Sequence, residues 1–517
     1  MNATFQNNRQ SFLLKACIFA TGLSGIVAEF TLSTLASYLL GNTTLQWALV
    51  MSMMLFAMGV GSRLSRYVED RLLDRFIAVE FVLSLLCATS AVAAYFGSLV
   101  AGGAGTFIYL YALAIGGLIG MEIPLVARMN EAYEGLRTNI SGVMEKDYYG
   151  ALAGGLVFAF FALPYLGLTY TPIALGAVNF AVASLLFWRY RTWVGRPIRM
   201  QVGFWAVGAT LVALAALIRP IVTFGEQSQY RDRVVYSEQT RFQKIVMTRW
   251  KDDYWLYLNR NVQFSTYDEE RYHEPLVHPA MVLSGRRENV LIVGGGDGLA
   301  LREVLKYGEV KQITLVDLDP AMTRLGATHP ALVKANGGAF ADPRVRVVNE
   351  DAALFLEETG KLFDVMIIDL PDPQGPNLAR LYTREFYATC ARQLAEEGTL
   401  VTQSSSPLHA RKVFLCVMKT VEAAGFSALP YQVAIPTMGT WGWVVARKAS
   451  SLSPSELRRL AEAEVYDAVE TAFLDAESGA GMLRFWRGMF EGQEALVINT
   501  LFDPVVDAYY REAEWGF

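Results

Sequence analysis

One short segment of the sequence combines an apolar run with closely spaced glycines. Residues 290–298 read VLIVGGGDG, and a helical pattern follows. Gly294, Gly296 and Gly298 allow a sharp turn at the carboxyl end of a strand and a close approach of backbone to ligand. Because position 299 is leucine, the spacing is G-x-G-x-G and differs from the dinucleotide pattern G-x-G-x-x-G. The segment therefore favours a nucleoside such as an adenosylmethionine derivative.

Acidic residues end the three apolar runs that follow along the chain. Asp317 lies about 20 residues after Asp297, the spacing at which an acid binds ribose hydroxyls. Asp351 ends the next run, where we expect it to reach the base, and Asp369 and Asp372 end the last one. The carboxyl ends of parallel strands lie at one edge of a sheet, so we expect these acids to converge in one crevice.

These residues belong to a set of motifs that resembles the spermidine synthase family of polyamine aminopropyltransferases. The resemblance covers residues 235–447, and the apolar N-terminal half resembles the membrane-embedded variant of that family. The matching motifs, in chain order, are Gln243, RYHE at 271–274, GGGDG at 294–298, D-x-x-D-P at 369–373 and IPT at 435–437.

The resemblance implies attack by an amine on decarboxylated S-adenosylmethionine, with release of methylthioadenosine. That nucleoside would be a co-substrate, and no permanently bound cofactor is expected. A free amine is mostly protonated at neutral pH, so it needs a positioned base before it attacks. Asp369 is the expected base, and Tyr272 is expected to orient the amine. Putrescine is the default acceptor, which would give spermidine.

The resemblance also assigns binding roles around the nucleoside, beside the glycine turn. Asp297 would hold the ammonium of the aminopropyl arm and repel the carboxylate of ordinary adenosylmethionine. Asp317 would bind the ribose hydroxyls and Asp351 the adenine amine. Gln243 would lie beside the sulfonium. A turn-capping role for any of these acids is the structural alternative.

The acceptor side of the expected site departs from the soluble family members. The positions expected to contact the acceptor amine are Asp372, His273, Gln403, Met438 and Trp441. The family usually has a tyrosine where Met438 stands, and small polar residues between the two aspartates, where this chain has Leu-Pro. The acceptor side is thus altered, while the nucleoside side is intact.

Two other functions remain open at this point. A methyltransferase is disfavoured because Asp297 interrupts the glycine turn and because Val293 stands where that family usually carries an acid. A polyamine transporter or sensor with a nucleoside-binding regulatory domain is the second alternative. Glu29, Glu80 and Glu122 lie in or near apolar stretches, and carboxylates in lipid usually face a cavity or a partner.

The N-terminal part has the composition of a membrane protein. Charged residues make up 18% of the chain and apolar ones 53%, against about 25% charged in soluble domains. A span needs ~20 apolar residues, and the sequence predicts an all-α bundle of about seven such helices. They lie near 12–40, 46–62, 76–100, 104–127, 148–168, 170–188 and 200–218.

The C-terminal part changes to short alternating strands and then to alternating strands and helices. Apolar runs at 290–293, 313–316, 365–368 and 399–402 are typical of buried parallel strands. We therefore predict a small β-rich subdomain followed by a Rossmann-like, methyltransferase-type α/β domain. The predicted boundaries are 1–222 for the bundle, 223–285 for the β-rich part, 286–450 for the catalytic domain and 451–517 for a helical extension.

Charged loops predict the orientation in a bacterial inner membrane. Arg and Lys cluster after the second, fourth and sixth stretches, whereas the loops near 41–45, 101–105 and 165–169 carry none. The positive-inside rule then places the N-terminus in the cytoplasm. Seven spans would leave the catalytic domain outside, but its nucleoside substrate is made in the cytoplasm. We expect a cytoplasmic catalytic domain, with the outward-facing alternative open.

Charge and composition also bear on partners. The formal net charge of −5 gives no support for nucleic-acid binding. Four histidines show no zinc spacing, so no metal site is predicted. The expected partners are an amine substrate, the lipid bilayer and, because soluble family members often form dimers, a second copy of the chain.

Overall fold

The computed structural model describes residues 2–41, 43–98 and 103–513. The chain divides into two compact units, Met1–Val234 and Val235–Phe517. Long apolar helices form the first unit, with one π-helical stretch at Phe158–Leu166 between the fifth and sixth. The helices are α1 (Asn2–Leu40), α2 (Thr43–Ser65), α3 (Leu72–Ser98), α4 (Gly103–Asn130), α5 (Leu136–Val157), α6 (Gly167–Arg189) and α7 (Pro197–Gln227).

Six helical stretches in the described part of the chain are long and apolar enough to cross a bilayer. The fifth of these, Leu136–Arg189, has 54 residues and runs through α5, the π-helical stretch and α6. Gly167 breaks the regular helix with a φ of 61°, and the Thr171 hydroxyl then donates to the Ala162 carbonyl at 3.2 Å. The predicted apolar bundle is confirmed, but the count of seven spans is not.

Helices α2 and α4 pack with their backbones in close approach. A Cβ at Gly61 would lie 1.8 Å from the carbonyl oxygen of Gly117, and one at Gly120 would lie 2.0 Å from that of Met58. Only glycine fits at such distances, which is the packing role that small residues have between membrane helices.

Three carboxylates lie inside this bundle. Glu29, Glu80 and Glu122 are 7%, 0% and 2% exposed. Glu80 on α3 and Glu122 on α4 are direct neighbours. Among the residues that the structure describes, neither oxygen of Glu80 has a hydrogen-bond donor, and Oε1 of Glu122 has none either.

Two sheets follow along the chain. The first is an antiparallel sheet in the order β1 (Arg233–Gln239), β2 (Lys244–Trp250), β3 (Asp253–Leu258) and β4 (Asn261–Ser265). The strands predicted in this region are therefore present. From residue 235 on they belong to the same compact unit as the larger sheet, so a separate β-rich subdomain is not confirmed.

The larger sheet has seven strands in the order β10-β11-β9-β8-β5-β6-β7. Strands β5, β6, β7, β8 and β9 are parallel to one another. Strand β11 pairs antiparallel with β9, and β10 pairs antiparallel with β11. The strands are β5 (Asn289–Gly294), β6 (Gln312–Val316), β7 (Val345–Val348), β8 (Phe363–Asp369), β9 (Leu394–Gln403), β10 (Phe426–Ile435) and β11 (Gly439–Lys448).

Helices connect these strands and cover the sheet, which makes the Rossmann-like α/β fold predicted from the sequence. The order of connections reverses between β5 and β8, and ligands of such sheets bind at this switch point, beyond the carboxyl ends of the strands. The helices are α8 (Glu270–Leu283), α9 (Leu299–Leu305), α10 (Pro320–Thr328), α11 (Pro330–Ala335), α12 (Ala352–Glu358), α13 (Gly375–Ala379), α14 (Arg384–Gln393) and α15 (Arg411–Ala423).

Residues after β11 form short helices joined by long irregular segments. Ser453 caps the first helix by accepting a hydrogen bond from the backbone N–H of Glu456, whose side chain accepts from the Ser453 backbone in return. The helices are α16 (Pro454–Ala463), α17 (Ala476–Met482) and α18 (Val506–Arg511).

Candidate active site

The turn after β5 requires glycine for both conformation and space. Gly294, Gly295 and Gly298 have φ values of 81°, 63° and 83°, which side-chain-bearing residues rarely adopt. A Cβ at Gly294 would lie 2.0 Å from the Asp369 carbonyl oxygen. A Cβ at Gly296 would lie 2.5 Å from Oδ2 of Asp317. The predicted nucleoside turn is thus packed directly against the two neighbouring strand ends.

The carboxyl ends of the strands bring three chemically active groups together at this turn. A ring nitrogen of His273 and one carboxylate oxygen each of Asp297 and Asp369 lie within 4.8 Å of one another. His273 comes from α8, Asp297 from the turn after β5 and Asp369 from the end of β8. We call these three residues the charged cluster.

The surroundings of His273 favour its charged form. Its Nδ1 lies 2.9 Å from Oε2 of Glu269, which in turn pairs with Arg302 at 2.6 Å. Burial disfavours the charged ring, but the hydrogen bond and charge of Glu269, with the two aspartates, raise the pKa of His273 to about 9. The two carboxylates of the cluster are groups that could pair with a cation.

Asp369 has the properties of a base that works near neutral pH. It is half-buried, and burial together with the charge of Asp297 raises its pKa to about 6, although His273 and Tyr272 oppose this rise. The Tyr272 hydroxyl donates to Oδ1 of Asp369 at 2.9 Å. Burial and the adjacent Asp369 raise the pKa of Tyr272 well above its usual value, so the hydroxyl keeps its proton.

Asp317 holds the glycine turn as well as facing the crevice. Its Oδ2 accepts from the backbone N–H of Gly296 at 3.1 Å, and its Oδ1 accepts from that of Asp319 at 2.8 Å. Burial, opposed by these two hydrogen bonds, raises the pKa of Asp317 to about 7. Asp317 lies directly after β6, beside the turn, and its binding of ribose hydroxyls stays a prediction.

Asp351 and Gln243 are engaged with protein groups. Asp351 caps α12 by accepting from Ala353 N at 3.0 Å, and its other oxygen pairs with Arg380. Burial is outweighed by Arg380 and the helix N–H groups, which lower the pKa of Asp351. The Gln243 amide donates to Oδ2 of Asp319 at 3.1 Å. Neither side chain belongs to the charged cluster.

Gln403 joins several parts of the acceptor side. Its Nε2 donates to the Leu370 carbonyl at 2.8 Å and to the Tyr382 hydroxyl at 2.5 Å, and it lies 3.5 Å from Oδ1 of Asp372. Its Oε1 accepts from the backbone N–H of Ser405 at 2.9 Å. Gln403 is 1% exposed, and its bonds fix residues 370–382, which we call the catalytic loop.

Aromatic side chains close the site beside Tyr272. The rings of Trp441 and Trp443 lie 6.5 Å and 5.5 Å from the Tyr272 ring, and Met438 belongs to the same buried cluster. The turn that carries Met438 is fixed because Asp268 accepts from both the backbone and the hydroxyl of Thr437, at 2.8 Å and 2.7 Å. Met438 and Trp441 therefore lie in the same buried cluster as Tyr272, and their contact with the acceptor stays a prediction.

Comparison with known proteins agrees with this arrangement. A sequence model described as the spermine/spermidine synthase domain matches residues 269–455. Polyamine aminopropyltransferase 2 of Aquifex aeolicus is 41% identical over 508 residues, which cover 98% of this chain and 99% of that protein. Polyamine aminopropyltransferase 2 of Ralstonia nicotianae is 40% identical, with 98% and 99% covered. The chain belongs to the polyamine aminopropyltransferase family.

A solved structure is also similar to this aminopropyltransferase. A spermidine synthase in complex with the transition-state analogue AdoDATO is 27% identical, with a TM-score of 0.44, over 51% of this chain and 89% of that one. Family membership confirms the resemblance drawn from the motifs, and the chain is a transferase that moves aminopropyl groups.

Sequence reasoning about this aminopropyltransferase missed the residues that set the charge of His273. Glu269 stands four residues before His273, a spacing that puts both on one helix face, so this signal was present. Arg302 lies on α9 and reaches Glu269 across space, at a distance in sequence that gives no local signal. Tyr382, which receives the Gln403 amide, was missed for the same reason.

Proposed function

We propose that this aminopropyltransferase moves the aminopropyl group of decarboxylated S-adenosylmethionine to putrescine, giving spermidine and methylthioadenosine. The observation that carries the proposal is the charged cluster. It puts two carboxylates, one of them the proposed base Asp369, beside a nucleoside turn, where a cationic arm and an amine would meet.

The donor would lie across the glycine turn. Backbone at Gly294, Gly295 and Gly296 can approach the nucleoside because these residues carry no side chain. Asp317 would accept the ribose hydroxyls, and Asp297 would pair with the ammonium of the aminopropyl arm. An additional carboxylate on that arm, as in ordinary adenosylmethionine, would face the negative charge of Asp297 and be rejected.

The acceptor amine would arrive from the side of Asp372 and Tyr272. Asp369 takes its proton, and the freed lone pair attacks the carbon next to the sulfonium. The new C–N bond forms as the C–S bond breaks, and both electrons of that bond stay on sulfur, which leaves as the neutral thioether of methylthioadenosine. A base with a pKa of about 6 is mostly ionised at pH 7 and so is ready for this step.

The experiment is methylthioadenosine release by the detergent-purified full chain, given decarboxylated S-adenosylmethionine and a panel of diamines and polyamines. We expect release that requires an amine, with putrescine preferred and spermidine as the product. A different preferred amine would overturn the acceptor assignment. Release with no amine present would overturn transfer to an amine.

The other functions fare differently. The comparisons name aminopropyltransferases, so the methyltransferase alternative has no support. Transport or sensing of polyamines keeps one favourable observation, the two buried carboxylates of Glu80 and Glu122 beside each other. Alanine at both positions, with uptake of labelled spermidine measured in proteoliposomes, tests it. Unchanged uptake would remove this second function.

We propose further that the apolar unit spans the cell membrane and that the enzyme unit faces the cytoplasm, where its nucleoside is made. The four native cysteines are buried, so a single new cysteine at exposed Ser450 can report the side. Labelling by an impermeant maleimide only after permeabilisation is the expected result. Labelling of intact spheroplasts would support the outward orientation that the charged loops favour.

Assembly with a second copy stays a prediction, which the mass of the purified complex tests.

A further inference from the structure

The last part of the chain lies against the catalytic loop. This part follows residue 455, where the match to the spermine/spermidine synthase domain ends. Asn499 is fully buried, and its Nδ2 donates to the carbonyl oxygens of Ala379 and Tyr382, both at 3.0 Å. Its Oδ1 accepts from the N–H of Val506 at 3.2 Å, which places α18 beside the loop.

Two side chains of α18 contact the other end of the loop. Asp507 Oδ1 accepts from the backbone N–H of Gly375 at 2.8 Å. The Tyr510 hydroxyl accepts from Nε2 of Gln374 at 2.8 Å and forms a hydrogen bond with the carboxylate of Asp372. The loop is therefore bound by the C-terminal segment at both of its ends.

We propose that Asp507 and Tyr510 are positioning residues for the acceptor half of the active site. They fix the catalytic loop so that the Asp372 carboxylate faces the incoming amine. The inference rests on the proposed role of Asp372 in binding the acceptor.

The chemistry of Tyr510 suits this role. As an acceptor from Gln374 its hydroxyl oxygen is held in place, so its proton points to Asp372. A hydroxyl that donates to one carboxylate oxygen restricts rotation of the whole carboxylate, and positioning of this kind affects reactions strongly. Neither Asp507 nor Tyr510 belongs to the charged cluster, so their effect should fall on the amine and spare the nucleoside.

The pH dependence offers a readout that general stabilisation would not change. Burial raises the pKa of Asp372 to about 6, and the hydrogen bonds from Tyr510 and Gln403 oppose this rise. The other titratable groups that face Asp372 are Tyr272 and Tyr382, both buried. Loss of the Tyr510 bond raises the pKa of Asp372 further, so the amine-dependent rate would be lost at a higher pH as the solution is acidified.

The test compares Tyr510→Phe with Tyr509→Phe in the full-length protein. Tyr509 is the adjacent residue, and its hydroxyl accepts from Val497 N at 3.3 Å. A hydrogen bond between protein groups is worth about 1 kcal/mol, so we expect the KM for the amine to rise about fivefold in Tyr510→Phe. We expect an unchanged KM for the nucleoside. We also expect the amine-dependent rate to be lost at a higher pH than in the wild type when the solution is acidified. Tyr509→Phe should match the wild type in the KM for the amine, the KM for the nucleoside and the pH dependence of the rate.

Asp507→Ala and its control Asp503→Ala extend the test to the backbone contact. Asp503 lies in the exposed turn before α18. Hydrogen–deuterium exchange of the peptide covering 370–382 should become faster in Asp507→Ala and Tyr510→Phe and stay unchanged in the two controls. Hydrogen–deuterium exchange reports on the loop even in a protein that is not turning over substrate.

The outcomes separate the inference from the proposed function. If the wild type transfers to no amine, the proposed function fails, and exchange of the loop still decides whether α18 holds it. Exchange and amine KM that match the controls in both variants would overturn the positioning role. An equal rise in the KM of nucleoside and amine would also overturn it.

Discussion

The two halves of the active site are built in different ways. The nucleoside half consists of the glycine turn with Asp297 and Asp317, and each part is an end of a neighbouring parallel strand. The acceptor half draws on α8, the catalytic loop, the end of β9, the turn before β11 and α18. A strand end places its ligands by sheet geometry alone, whereas the acceptor half depends on contacts between distant parts of the chain.

The largest effect should come from the residue at which the two halves meet. Asp369→Asn removes the base but keeps the shape and the hydrogen bond to Tyr272, so we expect kcat to fall about 10²- to 10⁴-fold. Nucleoside affinity, measured by calorimetry, should change little. As a control, Asp342→Asn alters an acid on the surface that pairs with Arg344. A kcat within threefold of wild type, as an order-of-magnitude bound, would contradict the role of Asp369.

Asp297→Asn should damage the nucleoside half selectively. Hydrogen bonds to charged groups contribute about 1.5–3 kcal/mol, so the Kd for decarboxylated S-adenosylmethionine should rise about 10- to 100-fold. The preference over ordinary adenosylmethionine should shrink, because the repulsive charge is gone. Competition binding measures both quantities. An undiminished preference would show that another residue rejects the carboxylate.

Acidification should act through the carboxylates of the acceptor half. The raised pKa values of Asp369 and Asp372, both about 6, mean that these groups are ionised above pH 6 and protonated below it. A protonated Asp369 cannot accept a proton, so its titration alone should lower the amine-dependent kcat/KM about fivefold between pH 6 and pH 5. Rates measured at saturating nucleoside from about pH 5 to 8 test this. A flat profile down to pH 5 would be inconsistent with Asp369 as the base.

The smallest effect is expected at Gln243. Its amide is bonded to Asp319 instead of the charged cluster, so Gln243→Ala should weaken nucleoside binding by less than about fivefold. Gln239→Ala, on the preceding strand, is the matched control. A loss as large as that of Asp297→Asn would show that Gln243 contacts the sulfonium directly.

The same contrast explains what the sequence could predict. The continuous apolar runs of β5, β6 and β8 and the acids after them are local signals, and they place Gly294, Asp317 and Asp369 correctly. The glycine spacing fixes the kind of turn for the same reason. Local pattern was sufficient wherever the sheet itself positions a residue.

Long-range pairing explains what the sequence left out. Arg380, 29 residues after Asp351, pairs with one of its oxygens, a contact without local signal, and the adenine role of Asp351 stays a prediction. The bonds of Gln403 to Leu370 and Tyr382 had no local signal in the sequence, and its predicted contact with the amine stays a prediction. No periodicity marks Tyr510 as a neighbour of Asp372. The span count was uncertain for a related reason, since one helical run of 54 residues contains the break at Gly167.

Gly294 and Asp369 are partners in register on adjacent strands. Strand β5, which leads into the turn for the donor, and strand β8, which carries the base, are thus paired residue by residue through backbone hydrogen bonds. The distance between the glycine turn and the base is then set by the register of the sheet. Intramolecular reactions with such fixed geometry reach effective molarities of about 10⁵–10⁸ M. A substitution that moves β8 away from β5 would therefore lower the effective concentration of the base at the bound donor.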